Sequence, residues 1–302
     1  MPVEVAAAVI QRADGAFLLA QRPAGKVYAG WWEFPGGKVE AGEAAEAALA
    51  RELHEELGIE VRTAYPWITR MHVYPHATVR LKFFRVVDWQ GEPHPRENQA
   101  FVWQRLAALM ASPMLPANAP VLASLALPHE YAITDAETLG VDFLLSRLAF
   151  RVGEGLKLVQ IRDKNLPDRT GFAKKVVDLA RRHGAKVLVN GGPPLADGIH
   201  FTAAQLMRLG KRPQGGLAAA SCHTREELER AMQLDLDFAV LGPVKPTASH
   251  AGAATLGWER FAALARGATI PVYAIGGLRR EDLPAAWRAG AHGVAMISGS
   301  WS

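Results

Sequence analysis

The sequence predicts an α/β and α+β protein of two domains, a mixed strand-and-helix unit over residues 1–128 and a (β/α)8 barrel over residues 129–302. Three observations lead there. A chain of 302 residues is long for a single hydrophobic core and suits two. Before Pro128, a glycine- and proline-rich loop feeds one long helix, with strands on either side. After Pro128, short apolar runs alternate regularly with amphipathic stretches, and eight such runs can be counted. Eight strands with helical crossovers are what a closed parallel barrel requires.

In the first unit, Val3–Ile10 and Ala16–Gln21 read as strands joined by the turn Ala13-Asp14-Gly15. Glu33-Phe34-Pro35-Gly36-Gly37 then leads into a helix over Ala44–Leu57, rich in Ala, Leu and Glu, which Gly58 can cap. Further strands are expected around Val73–Val87, and Trp103–Met110 reads as helical or irregular. The eight later runs are Tyr131–Thr134, Leu156–Arg162, Lys186–Asn190, Gly198–Phe201, Leu217–Ser221, Phe238–Gly242, Pro271–Ile275 and Gly293–Ile297. An open doubly wound sheet is the alternative to a barrel. The region is short for a barrel, and the chain ends at Trp301-Ser302, directly after the eighth run.

Composition narrows little. Net charge is +4, with 34 Lys and Arg against 30 Asp and Glu, and no basic run resembles a nucleic-acid footprint. The lone Cys222 rules out an internal disulfide and suits a reducing compartment. Glu4, Gln11 and Arg12 break the N-terminal apolar run before it could span a bilayer. A cytoplasmic protein with no membrane or direct nucleic-acid partner is expected.

The chemistry is concentrated on the predicted helix. Glu52, Glu55 and Glu56 fall at i, i+3 and i+4, on one face. Like charges packed so closely repel one another, and a hard cation such as Mg2+ or Mn2+, which takes oxygen ligands, relieves that repulsion. Such a cation also bridges phosphate oxygens and lowers the pKa of a bound water. Gly37 allows the loop backbone a close approach to the metal, and Arg51 can pair with Glu43 to fix the loop against the helix. A glutamate-rich run alone would more often be a solvated face. Here it carries a glycine loop at a fixed distance upstream.

Gly37, Glu43, Arg51, Glu52, Leu53, Glu55, Glu56, Gly58 and Ile59 together satisfy G-x5-E-x7-R-E-U-x-E-E-x-G-U, with U a bulky aliphatic. This resembles the Nudix box. The resemblance implies an α/β/α sandwich with a mixed sheet, and a Mg2+- or Mn2+-dependent hydrolase of phosphoanhydride bonds. Residues 3–127 further resemble the MutT branch, which acts on oxidised guanine nucleotides such as 8-oxo-dGTP, giving the monophosphate and pyrophosphate. Matching pieces are Gln21-Arg22, Trp32-Glu33-Phe34-Pro35-Gly36-Gly37-Lys38, Gly91-Glu92-Pro93 and Leu115-Pro116-Ala117-Asn118-Ala119-Pro120-Val121. By this resemblance Asn118 reads the purine edge, Phe34 lines the base pocket, and Arg22 and Lys38 hold phosphates. An amide suits the purine edge because it offers a donor and an acceptor side by side. Asn118 is also a good turn residue between two prolines. One departure concerns the metal: Val102 stands where the branch often has a further Glu, and Glu97 is the nearest carboxylate.

Residues 131–302 resemble thiamine phosphate synthase and its TenI relatives. Gln160-Ile161-Arg162-Asp163-Lys164 is similar to the family's Q-x-R-x-K, Asn190 to the first residue of its N-D-R, and Ser221 to its serine after the fifth strand. Thr247-Ala248-Ser249 resembles its T-x-T. Gly276-Gly277 and Ile297-Ser298 resemble its backbone cradle for a phosphate. Loops after barrel strands seven and eight are a recurrent phosphate site, which supports the cradle independently. A strand-end turn is the plainer reading of the two glycines. The resemblance implies ligand contacts from Gln160, Arg162, Lys164, Asn190 and Ser221, and phosphate contacts from Thr247, Ser249, Gly277, Ile297 and Ser298.

The departures fall on one function. The two aspartates that would hold Mg2+ against a pyrophosphate are replaced by Gly191 and Gln205, and two cations by Gly192 and His250. A barrel that binds a thiamine-related phosphate yet makes no thiamine phosphate is expected. His223 and His250 could instead carry protons, as in an isomerase. Two further readings stand beside the oxidised-nucleotide hydrolase: a thiamine-pathway enzyme whose first domain cleaves pyrimidine or thiamine diphosphates, and a non-catalytic barrel that senses a ligand.

Overall fold

The structure is a computed structural model that describes residues 2–96, 99–191, 197–247 and 254–302. It divides into two compact units, Met1–Ala126 and Leu127–Ser302.

In the first unit, β1 (Val3–Ile10), β4 (Gly36–Lys38), β5 (Glu60–Tyr74) and β6 (Ala77–Gln90) form a sheet ordered β4-β1-β6-β5. It is mixed, because β1 runs parallel to β6 and antiparallel to β4. A second sheet is ordered β3-β2-β7, from Trp32–Glu33, Phe17–Gln21 and Phe101–Gln104. The alternation in β1 explains the layers. Ala6, Ala8 and Ile10 face α1 (Ala45–Leu57), whereas Ala7 and Val9 face Phe17, Leu19, Phe34 and Phe83 on the other side. Helix α1 buries Ala45, Ala48, Leu49, Leu53 and Leu57, so one stripe is apolar. Burying each of those leucines is worth about 1.5–3 kcal/mol as an upper estimate. Gly58 ends the helix at φ 68°, with its N–H bonded to the His54 carbonyl. A short helix, α2 (Ala119–Leu125), follows the 3-10 turn Pro116–Asn118 and contributes Val121 to the second face.

Two expectations are corrected here. Strand structure is not confined to the neighbourhood of Val73–Val87. It is a long antiparallel hairpin, β5 and β6, that turns at Pro75-His76. Trp103 and Gln104 lie in β7, paired with β2, and only Leu106–Ala108 makes a 3-10 turn.

The second unit is a closed barrel of eight parallel strands: β8 (Glu130–Ile133), β9 (Leu158–Ile161), β10 (Lys186–Asn190), β11 (Gly198–Phe201), β12 (Leu217–Cys222), β13 (Phe238–Leu241), β14 (Val272–Ile275) and β15 (Gly293–Met296). Closure between β15 and β8 excludes an open sheet. Alternate residues fill the interior, among them Tyr131, Leu158, Leu188, Phe238 and Tyr273. Their neighbours in sequence, such as Ala132, Val159 and Val187, meet the outer helices. After β15 only a 3-10 turn, Ser298–Ser300, precedes Trp301. Trp301 packs with Leu144 and Leu148 of α3 (Val141–Gly153), and its indole donates to the Ile133 carbonyl at 2.8 Å. Among the described residues, no helix is long and apolar enough to cross a membrane.

Candidate functional site

The first site is built where β4 crosses β1 beside α1. Backbone pairing sets Gly36 opposite Ala7 and Gly37 opposite Ala6. Gly36 has no room for a side chain, and a side chain on Gly37 would displace the Glu52 carboxylate. A Cβ on Gly36 would lie 2.1 Å from the Ala6 carbonyl oxygen, and one on Gly37 would lie 2.0 Å from the Glu52 carboxyl carbon. The Glu52 carboxylate therefore rests directly on the glycine backbone. Glu56 reaches the same loop, accepting from the Gly36 N–H at 3.3 Å.

Arg51 ties this arrangement together. Its guanidinium donates to both Glu43 oxygens at 3.0 Å, to the Lys38 carbonyl at 3.0 Å, to Glu52 at 2.9 Å and to Glu55 at 3.4 Å. The planar fork suits such multiple acceptance. The hydrogen bond from Arg51 holds the Glu43 carboxyl below its ordinary range, and the bonds to Glu43 and Glu52 raise Arg51 above its own. Loop and helix are thus fixed to each other before any ligand arrives.

These groups open onto a cavity of about 920 Å3 whose lining includes Arg22, Glu33, Gly37, Lys38, Glu52 and Glu56. Four expected roles do not meet this geometry as stated. Glu55 is half-exposed and turned to Arg51 rather than among the lining residues. Phe34 is 4% exposed and packs between Phe17 and Phe83, with ring centroids 5.9 and 5.8 Å away, so it is a core residue rather than a pocket wall. Arg22 lines the cavity, but one guanidinium nitrogen binds both Glu33 oxygens, at 2.7 and 2.8 Å, so it is not a free cation. Burial raises the pKa of Glu33, and Arg22 opposes that rise. Asn118 is 3% exposed and outside the lining, its amide nitrogen donating to the Trp32 carbonyl at 3.3 Å. Lys38 is exposed and lines the cavity.

The donor set suits a hard divalent cation. Glu52 and Glu56 offer carboxylate oxygens beside a glycine loop that no other residue could form so closely. Among the described residues, no three His, Cys, Asp or Glu side chains are drawn together as a metal group, and Arg51 and Gly36 engage the carboxylates. Glu97 lies outside the described residues, and Val102 is half-buried against the second core face. Sequence reasoning missed Glu33 as the partner of Arg22, and Tyr28, Tyr74 and His76 as cavity residues.

The second site is a cavity of about 250 Å3 at the C-terminal ends of the barrel strands. It brings together Gln160, Arg162, Lys164, Asn190, Ser221, Thr247, Gly277, Ile297 and Ser298, residues scattered over the whole domain in sequence. Ser249 and His250 lie outside the described residues. Gly277 adopts φ +60°, and a Cβ there would meet the Pro246 carbonyl oxygen at 2.3 Å, so the cradle needs glycine. No Asp or Glu is among the described lining residues, whereas Arg162 and Lys164 are.

One substituted metal position, Gln205, has another duty, and the aspartates Asp163 and Asp197 are committed elsewhere. Gln205 forms a capping box with Thr202, accepting from the Thr202 N–H at 3.0 Å. Asp163 is buried, accepting from the Glu137 N–H at 2.9 Å and from the Thr134 hydroxyl. Asp197 accepts from the Val187 N–H at 2.9 Å. Neither aspartate faces the cavity. Sequence reasoning also overlooked His200, a polar residue inside the apolar run Gly198–Phe201. It lines the cavity, bonding the Tyr131 hydroxyl at 3.1 Å and the Ser221 hydroxyl at 2.9 Å. Burial pushes the His200 pKa down to about 3, so the ring is neutral.

Comparison with known proteins decides the family. The family described as "Thiamine monophosphate synthase" matches residues 130–299, and that described as "NUDIX domain" matches residues 6–124. The chain belongs to both families. Its NUDIX domain is 42% identical to the CTP pyrophosphohydrolase of Escherichia coli and 42% identical to the 8-oxo-dGTP diphosphatase of Haemophilus influenzae. Each match covers 40% of this chain and 88% of the relative. The synthase-family barrel is 26% identical to a thiamine phosphate pyrophosphorylase structure from Pyrococcus furiosus, over 56% of this chain and 85% of that one, at a TM-score of 0.46. The protein is a NUDIX hydrolase, an enzyme acting on phosphoanhydride bonds, joined to a thiamine-phosphate-synthase-like domain.

Proposed function

We propose that the NUDIX domain hydrolyses oxidised guanine nucleotides, 8-oxo-dGTP above all, to the monophosphate and pyrophosphate with Mg2+ or Mn2+. What supports the substrate class is the segment 115–121 around Asn118 together with the similarity to a relative named 8-oxo-dGTP diphosphatase, and the buried Asn118 would have to be uncovered when a base enters. Asn118 Nδ2 is committed to the Trp32 carbonyl, which sets which way round the amide lies. That leaves an oxygen and a second N–H, the pair that a purine edge bearing O6 and a protonated N7 would require. The two 42% relatives carry names for different nucleobases, so identity alone does not choose between them.

Glu52 and Glu56, with the Gly37 backbone, would hold the cation, with Glu55 joining from the same helix face. When bound, the cation would neutralise phosphate oxygens and make a bound water more acidic. The chain's own groups do the rest. Arg51 keeps Glu52 against the loop, Lys38 offers its ammonium group to a phosphate, and the Arg22–Glu33 pair closes one wall. Turnover of 8-oxo-dGTP, dGTP, CTP and thiamine diphosphate by the purified protein tests the assignment. A preference for thiamine diphosphate would favour the thiamine-pathway reading instead.

The barrel, in this proposal, binds a phosphate monoester related to thiamine and makes no thiamine phosphate. Its cationic lining and glycine cradle favour an anion, and nothing among its described lining residues replaces the missing carboxylates. His223 favours a second reading. Its ring lines the cavity with Nδ1 2.8 Å from the Gly242 carbonyl, so Nδ1 donates there and Nε2 is the ring nitrogen left for a ligand. The barrel would then move a proton on its ligand.

A further inference from the structure

The polar chain across the floor of the barrel has a direction. Tyr131 stands on β8, His200 on β11 and Ser221 on β12, so the phenol reaches across the barrel to the imidazole. Tyr131 is fully buried, flanked by Phe238 and Tyr273. Burial holds its hydroxyl protonated, and a buried donor without an acceptor forfeits its hydration for nothing. Among the described residues, its only hydrogen-bond partner is His200 Nδ1, at 3.1 Å. The phenol therefore donates and Nδ1 accepts.

The rest follows from the chemistry of a neutral imidazole. A ring that accepts at Nδ1 carries its single proton on Nε2. That proton points at Ser221 Oγ, 2.9 Å away. The serine oxygen accepts it, and the serine's own proton is free to turn outward. Ser221 lines the cavity and is only partly buried. In the reverse direction, with Ser221 donating to Nε2 and Nδ1–H donating to the phenol oxygen, the Tyr131 proton would be stranded among aromatic rings.

We infer that Tyr131 and His200 form a one-way hydrogen-bond relay that leaves the Ser221 hydroxyl proton free to donate into the barrel cavity, where it meets an acceptor on a ligand. The inference rests on reading this cavity as a ligand site. With Arg162 and Lys164 in the same lining, the acceptor suits an anionic ligand. Tyr131 and His200 act through Ser221 and are positioning residues. The same direction rules out His200 as a general base for Ser221, because no lone pair faces the hydroxyl.

Nuclear magnetic resonance of the full-length protein with 15N-labelled histidine reads the direction without any ligand, so it can fail independently of the ligand-site reading. At pH 7, His200 should show a protonated Nε2 and an unprotonated, hydrogen-bonded Nδ1. In Ser221→Ala the Nε2 proton should persist, because the phenol still holds the tautomer. In Tyr131→Phe the Nδ1 resonance should move. Should Tyr131→Phe fail to fold, wild type and Ser221→Ala suffice. A protonated Nδ1 in the wild type, or an imidazolium with both nitrogens protonated, would overturn the relay. Loss of the Nε2 proton in Ser221→Ala would do the same.

Discussion

Replacing Gly37 by alanine probes how closely the glutamate–glycine contact must be kept. The added Cβ would sit 2.0 Å from the Glu52 carboxyl carbon and 2.2 and 2.3 Å from its oxygens. Ordinary contact begins at 3.4 Å, so the carboxylate must retreat by about 1.4 Å. The backbone of Gly37 is not left-handed, and the obstructing atoms are the end of a flexible side chain. Stability should therefore change by less than about 1 kcal/mol, whereas a catalytic group tolerates only about 0.5 Å of misplacement. A displacement of about 1 Å can cost about 100-fold, which is roughly 2.7 kcal/mol of activation free energy. The assay is pyrophosphate release from 8-oxo-dGTP with Mg2+, set beside a urea melt. Undiminished kcat in Gly37→Ala would refute the contact as a catalytic one. An activity loss that merely tracked unfolding would refute it equally.

Other outcomes follow from the same geometry. Glu56→Gln should lower kcat about 100-fold or more while leaving the fold intact, since changes in outer metal shells alone reach about 10–100-fold, and full activity in EDTA would contradict the metal assignment. Asn118→Ala should reduce 8-oxo-dGTP hydrolysis more than dGTP hydrolysis, measured as the ratio of kcat/KM values, because a hydrogen-bonded edge loses selectivity when its partner goes. Glu43 has a folded pKa below its unfolded value, through its bond with Arg51. Its contribution to stability is thus present above the ordinary carboxylate range and lost as pH falls through the folded value, so urea melts of wild type and Glu43→Gln should differ at neutral pH and converge in acid. Ser298→Asp should weaken binding of a phosphate monoester by the full-length protein, read by calorimetry, by placing a negative charge in the cradle.

Much of the fold was legible because periodicity records burial. The stripe Ala45, Ala48, Leu49, Leu53 and Leu57 gave α1, and the eight barrel runs fall within two residues of the observed strands at both ends. The β5–β6 hairpin was less visible, since residues such as Arg62, Thr63, Arg70 and Arg80 interrupt its apolar pattern and much of it is half-exposed. Site residues were legible as members of a set: the barrel residues named from the sequence, Ser249 aside because it lies outside the described residues, meet in one cavity. The partners of each side chain were not. Arg22 is captured by Glu33, eleven residues away, and Phe34 is drawn into the core by Phe17 and Phe83. His200 acquires its role only when closure brings β8 across from β11, a long-range contact that no local pattern encodes.

Whether the NUDIX domain acts on oxidised guanine nucleotides is decided by one comparison of substrates. The full-length protein is assayed with Mg2+ against 8-oxo-dGTP, dGTP, CTP and thiamine diphosphate, and kcat/KM is determined for each. The highest value is expected for 8-oxo-dGTP, with 8-oxo-dGMP and pyrophosphate as products. A higher value for CTP or thiamine diphosphate would contradict that expectation.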